Sequence, residues 1–143
     1  MKVKNLLETK GKDVVSIDVK STVEDAIRSM HGRKISALMV TEDGKTVGIF
    51  TERDVVRCYI ANGGKGFKEA VLRDAMTTDL IVAEEEDDIS AVMSIMVEKN
   101  IRHLPVIDKG KVAGMLSVRD VIQTQVGKLT SEIHYLKDYI TGY

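Results

Sequence analysis

Apolar and polar residues follow two different periods along the chain, and the order of these periods occurs twice. In the first half, an alternating stretch rich in β-branched residues at 13–19 predicts a strand, and helical spacing of apolar residues after Thr22 predicts a helix. Two further apolar runs, at 35–41 and 46–50, flank an Asp-Gly pair, which predicts a β-hairpin. A second helix is expected to begin at Thr51. The first half therefore has the predicted order β-α-β-β-α.

The second half repeats this order. Strands are predicted at 80–83, 101–108 and 112–116, and helices at 88–98 and from Ser117 onwards. Together the elements predict an α+β fold of two β-α-β-β-α repeats packed as a pseudo-two-fold pair, plus a C-terminal amphipathic helix. The predicted boundaries are 1–62 for repeat one, 63–70 for a Gly-rich linker, 71–126 for repeat two and 127–143 for a helical tail.

The two halves share a motif, which runs from Gly48 to Asp54 and again from Gly114 to Asp120. Each copy has Gly, two apolar residues, a hydroxyl residue, a spacer, Arg and Asp. The second copy lies 66 residues after the first, and the same offset pairs apolar positions far upstream of the motif. Short amphipathic segments at the start of each half, at 3–7 and 71–76, echo each other at a slightly different offset. The chain is therefore interpreted as two copies of one unit.

The amino-acid composition argues against several classes of function. The 143 residues carry a net charge of −1 and only 4% aromatic residues, so a basic or base-stacking surface for nucleic acid is not expected. A single cysteine, Cys58, cannot form an internal disulfide, and no apolar run is long enough to span a bilayer. The three histidines have no metal-ligand spacing, so no metal site is expected there. No catalytic arrangement is found either. A cytoplasmic protein that is not an enzyme is predicted.

The repeated motif places several polar groups at a predicted helix start. Thr51 and Ser117 can donate a hydroxyl to a phosphate, and the unpaired N–H groups of a helix N-terminus would favour the same anion. Asp54 and Asp120, three residues on, can accept from both hydroxyls of a ribose. The arginines before them, Arg53 and Arg119, can bind phosphate. A structural interpretation is also open, because a hydroxyl residue with an acid three residues later is a variant of the helix capping box.

The motif pair, together with the stretch from Ile101 to Val106, resembles a tandem pair of CBS (cystathionine β-synthase) domains, also called a Bateman module. The resemblance extends from about Val3 to Gln123 and is nearest to the small stand-alone CBS-pair proteins. It implies binding of an adenine nucleotide (AMP, ADP, ATP, NADH) or another adenosyl ligand such as S-adenosylmethionine, with or without Mg²⁺, in clefts between the repeats. It also implies a homodimer that acts as a sensor for an unknown regulated protein.

The resemblance assigns roles residue by residue. Thr51 and Ser117 would contact phosphate or ribose, and Asp54 and Asp120 would hold the ribose hydroxyls. Residues of the first strand of each repeat would receive adenine, namely Val15, Ser16, Ile81 and Val82. The residues before the Leu-Pro-Val sequence, Arg102 and His103, would face the phosphates, although His103 could equally be an ordinary strand residue. Repeat one lacks that pair, because Ser36 and Ala37 stand there, and it has Met39 where repeat two has Pro105.

Three alternatives stay open. The acidic run at 84–88 is either a solvated loop with favourable charge at a helix start or a metal site. The apolar stripe of the tail, which consists of Leu129, Ile133, Leu136 and Ile140, either docks on its own domain or faces a partner in a homodimer. The chain as a whole is either a nucleotide sensor or a dimeric interaction scaffold with non-functional nucleotide pockets.

Overall fold

The computed structural model of the chain describes residues 1–141. Its fold is α+β, as predicted, with two three-stranded sheets of order β1-β2-β3 and β4-β5-β6. In each sheet the first pair of strands is parallel and the second pair is an antiparallel hairpin. The elements are α1 (Val3–Lys10), β1 (Ser16–Asp18), α2 (Val23–Arg33), β2 (Ala37–Glu42), β3 (Lys45–Thr51), α3 (Glu52–Ala61), α4 (Leu72–Ala75), β4 (Ala83–Glu84), α5 (Ile89–Lys99), β5 (His103–Asp108), β6 (Lys111–Ser117) and α6 (Val118–Thr141).

The chain divides into two compact units, and each contains the segment that precedes the other repeat. The repeat-one unit is Asp13–Ile81, so it includes α4. The repeat-two unit consists of Met1–Lys12 together with the described chain from Val82 onwards, so it includes α1. The predicted repeat boundaries describe the internal duplication of the sequence, and they stay a prediction.

Backbone hydrogen bonds connect the segments of α1 and α4 to the rest of the unit in which each lies. In the repeat-two unit, the Val3 N–H donates to the Asp87 carbonyl at 2.9 Å. In the repeat-one unit, the Leu72 N–H donates to the Ser21 carbonyl at 3.1 Å. The largest buried side chain of the repeat-one core, Phe50, is 0% exposed, and Leu72 of α4 is buried in the same cluster. The short segment before the second repeat is therefore part of the core of the first.

Both predicted hairpin turns are confirmed. The central residues have positive φ in each turn, 51° and 78° for Asp43 and Gly44 and 51° and 78° for Lys109 and Gly110. Positive φ at both central positions is the geometry that matches the right-handed twist of the flanking strands. A register shift follows at the same place in both hairpins, after Val40 and after Val106. The structural equivalence of the two repeats thus includes this irregularity.

The strand predicted at 80–83 is wrong in its position, because β4 covers only Ala83–Glu84. In the other sheet, the N–H of Met39 donates to the Val15 carbonyl at 3.0 Å and extends the pairing of β1 towards its start. Pro105 occupies the equivalent place in β5 and has no N–H to donate. The parallel pairing in the second sheet therefore begins later, at Ala83.

The predicted tail is the continuation of α6, which is a single helix of 24 residues from Val118 to Thr141. Val121 in its first turns is 1% exposed and belongs to the core. From Val126 to Ile140 every side chain is exposed except Asp138, which is half-buried. The apolar stripe is thus not docked on the rest of the repeat-two unit. Positions 142 and 143 of the predicted tail lie outside the described residues.

Within the part of the chain that the structure describes, none of the helices combines the length and the apolar character needed to cross a membrane.

Candidate functional site

The N-terminal end of α6 brings together predicted site residues of the repeat-two unit. Ser117 ends β6 and is the antiparallel partner of His103 in β5. The carbonyl of Arg102 accepts a hydrogen bond from the Val118 N–H at 2.8 Å, which ties the start of the helix to the start of β5. Asp120 lies in the first turn of the helix. The hairpin and the helix start therefore bring Arg102, His103, Ser117 and Asp120 to one place in the repeat-two unit.

The Asp120 carboxylate is held by three donors. Its Oδ2 accepts from the Ser117 N–H at 2.9 Å and from the Ser117 hydroxyl at 2.8 Å. The ammonium of Lys10, at the end of α1, lies 2.8 Å from the same oxygen, and it also donates to the carbonyl of Met115. The side chain of Asp120 is still 20% exposed, and that of Lys10 is 27% exposed. The ion pair is therefore accessible from solvent.

These contacts fix the charge state of Asp120. Burial by itself would raise the pKa of the carboxyl, but hydrogen bonds from Lys10 and Ser117, together with the charge of Lys10, hold the pKa below its ordinary value of 3.8. Asp120 is therefore a carboxylate at neutral pH. An ionised carboxylate has lone pairs to accept from more than one donor, as a ribose diol requires.

The equivalent carboxylate of repeat one, Asp54, has different surroundings. It is 1% exposed. One oxygen accepts from the Thr51 N–H at 2.9 Å and from the Thr51 hydroxyl at 3.3 Å. The other accepts from the Thr77 hydroxyl at 2.8 Å and lies 3.2 Å from the Arg57 guanidinium. Both oxygens of Asp54 are thus engaged inside the repeat-one unit.

Several N–H groups at the helix starts, which the sequence analysis expected to be unpaired, already have acceptors. In α6 the Val118 N–H donates to Arg102, and the Asp120 N–H donates to the Ser117 hydroxyl at 3.1 Å. In α3 the Glu52 N–H donates to the Ser36 carbonyl at 3.2 Å. The expectation of unpaired N–H groups was wrong at these three positions, because the residues just before β5 and β2, Arg102 and Ser36, and the capping hydroxyl of Ser117 already accept from them.

The other predicted site residues are exposed or partly exposed to solvent. Arg53, Arg102 and Arg119 are exposed. Val15 is half-buried and Ser16 is exposed.

The two residues predicted to receive adenine in repeat two lie outside the observed strand. Ile81 is half-buried and is the last residue of the repeat-one unit, whereas Val82 is exposed and begins the second segment of the repeat-two unit. The adenine-binding role of Ile81 and Val82, like that of Val15 and Ser16, stays a prediction.

Three residues that contact the aspartates of the motif were not predicted: Arg57, Lys10 and Thr77. Lys10 pairs with Asp120, and Thr77 pairs with Asp54. Lys10 is the last residue of α1 and Thr77 lies two residues after α4, so for these two residues the echo between the segments at 3–7 and 71–76 was the available signal. The echo could not reveal the contact, because nothing in the sequence indicates that each segment packs with the opposite repeat.

The acidic run contacts the N-terminal lysines of the same unit. Glu86 lies 3.2 Å from the Lys2 ammonium and 2.9 Å from that of Lys4, and Glu85 lies 3.3 Å from that of Lys12. The hydrogen bonds from Lys4 and Lys2 lower the pKa of Glu86. Residues 1–141 contain no group of three or more His, Cys, Asp or Glu side chains placed to hold a metal ion. The geometry supports the interpretation of the run as a solvated segment with paired charges.

Comparison with known proteins gives a family for this architecture. The model of the CBS domain matches the chain twice, at residues 3–61 and 72–127. A mitochondrial CBS domain-containing protein of Arabidopsis thaliana, CBSX3, is 34% identical over 150 residues, which cover 98% of this chain and 72% of that protein. An inosine-5′-monophosphate dehydrogenase of Thermoplasma acidophilum is 32% identical over 115 residues, which cover 80% of this chain but only 22% of the enzyme.

Solved structures agree with this result. A CBS-domain containing protein from Agrobacterium tumefaciens superimposes with a TM-score of 0.83 at 35% identity, covering 87% of this chain and 99% of that one. The CBS domain pair of protein MJ0100, solved in complex with 5′-methylthioadenosine and S-adenosyl-L-methionine, has a TM-score of 0.77 at 25% identity, with 90% of this chain and 98% of that chain covered. The duplicated motif, the twin sheets and both comparisons lead to one conclusion: the chain belongs to the CBS-domain family and carries two CBS domains in tandem.

Proposed function

We propose that the chain is a regulatory module that binds an adenine nucleotide at Asp120 and Ser117 and transmits the bound state to a separate protein. The observation that carries the proposal is the solvent-accessible Lys10–Asp120 ion pair at the N-terminal end of α6. It places the Ser117 hydroxyl and the Lys10 ammonium each within hydrogen-bond distance of one fixed carboxylate. The two ligands in the structure of the MJ0100 domain pair, which both contain an adenosyl group, support the ligand class.

Each group has a chemical task in this proposal. Asp120 accepts hydrogen bonds from the ribose hydroxyls, because its lowered pKa keeps it ionised. The ribose competes with Lys10 for the carboxylate, so binding releases the ammonium from the pair. The released ammonium, together with exposed Arg102 or Arg119, then neutralises phosphate charge. The proposal thus favours AMP, ADP, ATP or NADH over an adenosyl ligand that has no phosphate.

The regulatory step follows from the same contact. Lys10 is the C-terminal residue of α1, so a ligand that separates Lys10 from Asp120 removes a contact that holds this helix against β6 and α6. A ligand shifts a conformational equilibrium only through such differential contacts. The signal we propose is therefore a change in the position of α1. The cytoplasmic location and the homodimer expected from the sequence stay predictions.

A protein-interaction scaffold is the second candidate function, and one observation favours it. Fully formed α6 exposes an apolar stripe from Leu129 to Ile140, whose members are between 54% and 81% exposed. Such a surface fits a protein partner whether or not the nucleotide site functions.

Calorimetric titration of nucleotide-stripped protein tests the first proposal. The ligands are AMP, ATP, NADH, 5′-methylthioadenosine and S-adenosylmethionine, and the variants are Asp120→Ala and the matched control Asp138→Ala in the C-terminal part of the same helix. We expect one phosphate-bearing ligand to bind with a micromolar or lower Kd. Loss of the charge-assisted hydrogen bonds in Asp120→Ala should weaken it roughly 10- to 100-fold, whereas Asp138→Ala should bind as the wild type does. Equal binding by all three proteins would reject the site. No binding by the wild type would leave the protein-interaction scaffold as the favoured function.

A further inference from the structure

The exposed stripe of α6 has a spacing that α-helices use for pairing with another helix. Its apolar residues alternate steps of four and three positions, and they are Ile122, Val126, Leu129, Ile133, Leu136 and Ile140. This is a heptad repeat with a mean period of about 3.5 residues, the signature of a left-handed coiled coil. A stripe that docks on a globular core is usually wider, with apolar residues in additional positions. The spacing therefore favours a second helix as the partner.

The stripe is complete and accessible. All six side chains are at least half exposed, from 50% for Ile122 to 81% for Ile140. The first turns of α6 are anchored in the repeat-two unit by Val121, so the stripe starts from a fixed point. From Ile122 to Ile140 the helix is about 27 Å long at 1.5 Å per residue. Exposed apolar residues along such a length need a partner of matching length.

The residue types select the number and direction of helices. In the heptad frame set by the spacing, the a positions are Val126, Ile133 and Ile140, and the d positions are Ile122, Leu129 and Leu136. β-Branched residues at a with Leu at d favour two parallel strands. Only one of the six positions, Ile122, departs from that rule. The helix thus has the composition of one strand of a parallel dimer.

The charged flanks identify the second strand as another copy of this chain. In a parallel pair, a g residue of one helix faces the e residue five positions later on the other. Glu132 is at g and Lys137 is at e, so two copies in register place opposite charges together on both sides of the seam. The same two residues are five apart on one helix and do not face each other there. The charge pattern is complementary to itself.

We propose that α6 forms a parallel, in-register two-stranded coiled coil with α6 of a second copy of this chain. The stripe from Ile122 to Ile140 is its seam, and two symmetric Glu132–Lys137 pairs fix its register. This inference does not depend on nucleotide binding.

Disulfide crosslinking of the full chain tests the direction and register. Leu129→Cys and Leu136→Cys are each made in a Cys58→Ala background, with Tyr135→Cys as the matched control, since Tyr135 is 70% exposed and lies at the outward c position. Circular dichroism checks that each variant folds. After mild oxidation at low protein concentration, we expect crosslinked dimer with both Leu129→Cys and Leu136→Cys, and little with Tyr135→Cys.

The other outcomes each overturn the proposal. Crosslinking at only one of the two d positions would indicate an antiparallel pair. In an antiparallel pair, a residue can face its own copy at only one level along the helix axis. Equal crosslinking of all three variants would indicate random collisions. No crosslinking would mean that the stripe is unpaired or binds a different protein.

Charge reversal provides an independent measurement. Glu132→Lys and Lys137→Glu should each weaken the dimer roughly threefold to tenfold in sedimentation equilibrium, because each creates two like-charged pairs. The double variant should dimerise more tightly than either single variant. A double variant whose dimerisation is weakened by the sum of the two single effects would contradict the register.

Discussion

The two equivalent aspartates should differ sharply in their contribution to stability, although they stand at the same position of the repeated motif. We consider Asp54→Ala in the repeat-one unit. Asp54 is 1% exposed and accepts hydrogen bonds at 2.9 Å from the Thr51 N–H and at 2.8 Å from the Thr77 hydroxyl. Removal of the carboxylate leaves both donors, which belong to the half-buried residues Thr51 and Thr77, without this acceptor. The Arg57 guanidinium, in contrast, is 62% exposed and can turn to water.

The magnitude follows from these contacts. A hydrogen bond to a charged group contributes about 1.5–3 kcal/mol, so loss of the two short bonds to the buried carboxylate should cost about 3–6 kcal/mol of unfolding free energy. With a urea dependence of about 2 kcal/mol per molar, the midpoint of unfolding should fall by about 1.5–3 M. Asp120→Ala removes a partly exposed cap whose donors can bind water instead, and it should cost only about 1–2 kcal/mol.

Urea unfolding followed by circular dichroism, on the wild type and the two variants, measures the difference. Thr77→Val tests the cause, because it removes one of the two short bonds without changing side-chain shape. Its effect should nearly vanish in the Asp54→Ala background, where the hydroxyl has already lost its acceptor. The exposed neighbour gives a matched control, Thr78→Val, which should be neutral. An Asp54→Ala protein that is no less stable than Asp120→Ala would refute the reasoning.

Two further predictions concern the same motif. Gly48→Ala should destabilise the protein by about 1–3 kcal/mol, because an added Cβ would lie 2.8 Å from the backbone carbonyl oxygen of Thr77, which cannot move alone. Gly114→Ala should cost clearly less, because its Cβ would meet only the flexible end of the Leu7 side chain, and equal losses in urea unfolding would contradict this. The lowered pKa of Asp120 means that its contribution to stability is fully present above the ordinary value of 3.8 and is lost as the pH falls through the lower, folded-state pKa. The stability gap between wild type and Asp120→Ala should therefore be constant from pH 7 to 5 and shrink below about pH 4, and a gap that does not change down to pH 3 would contradict it.

The parts of the fold that depend on short-range sequence were predictable. Asp43 with Gly44, and Lys109 with Gly110, form the turns that their positions indicate, because positive φ is accessible to Gly and tolerated by few other residues. Thr22 caps α2 through its hydroxyl, which accepts from the Asp25 N–H at 3.1 Å. The duplication, the fold class and the family resemblance were likewise predicted from the sequence and are confirmed.

The parts that depend on long-range packing were not predictable. The strand at 80–83 was predicted from its apolar residues, but pairing there needs a donor on the neighbouring strand, and Pro105 has none. The contacts of Lys10 with Asp120 and of Thr77 with Asp54 join residues that are far apart in sequence, so no local pattern encodes them. The capping-box interpretation and the ligand-site interpretation were also inseparable in the sequence, because the same oxygen atoms serve both.

The side chain that pairs with each aspartate distinguishes the capping-box interpretation from the ligand-site interpretation. A neutral Thr77 lets the polypeptide close over Asp54, because a hydroxyl in a buried site costs little once it donates a hydrogen bond. Burial of a lysine in the corresponding place would cost more free energy, because its charge would lose hydration. The Lys10–Asp120 pair therefore stays near water, where a ligand can exchange with it. On this argument we expect the ligand to bind at Asp120, and we expect Asp54 to support the fold. Titration should therefore give one nucleotide per chain, and a stoichiometry of two would show that Asp54 can be opened at a cost that the ligand overcomes.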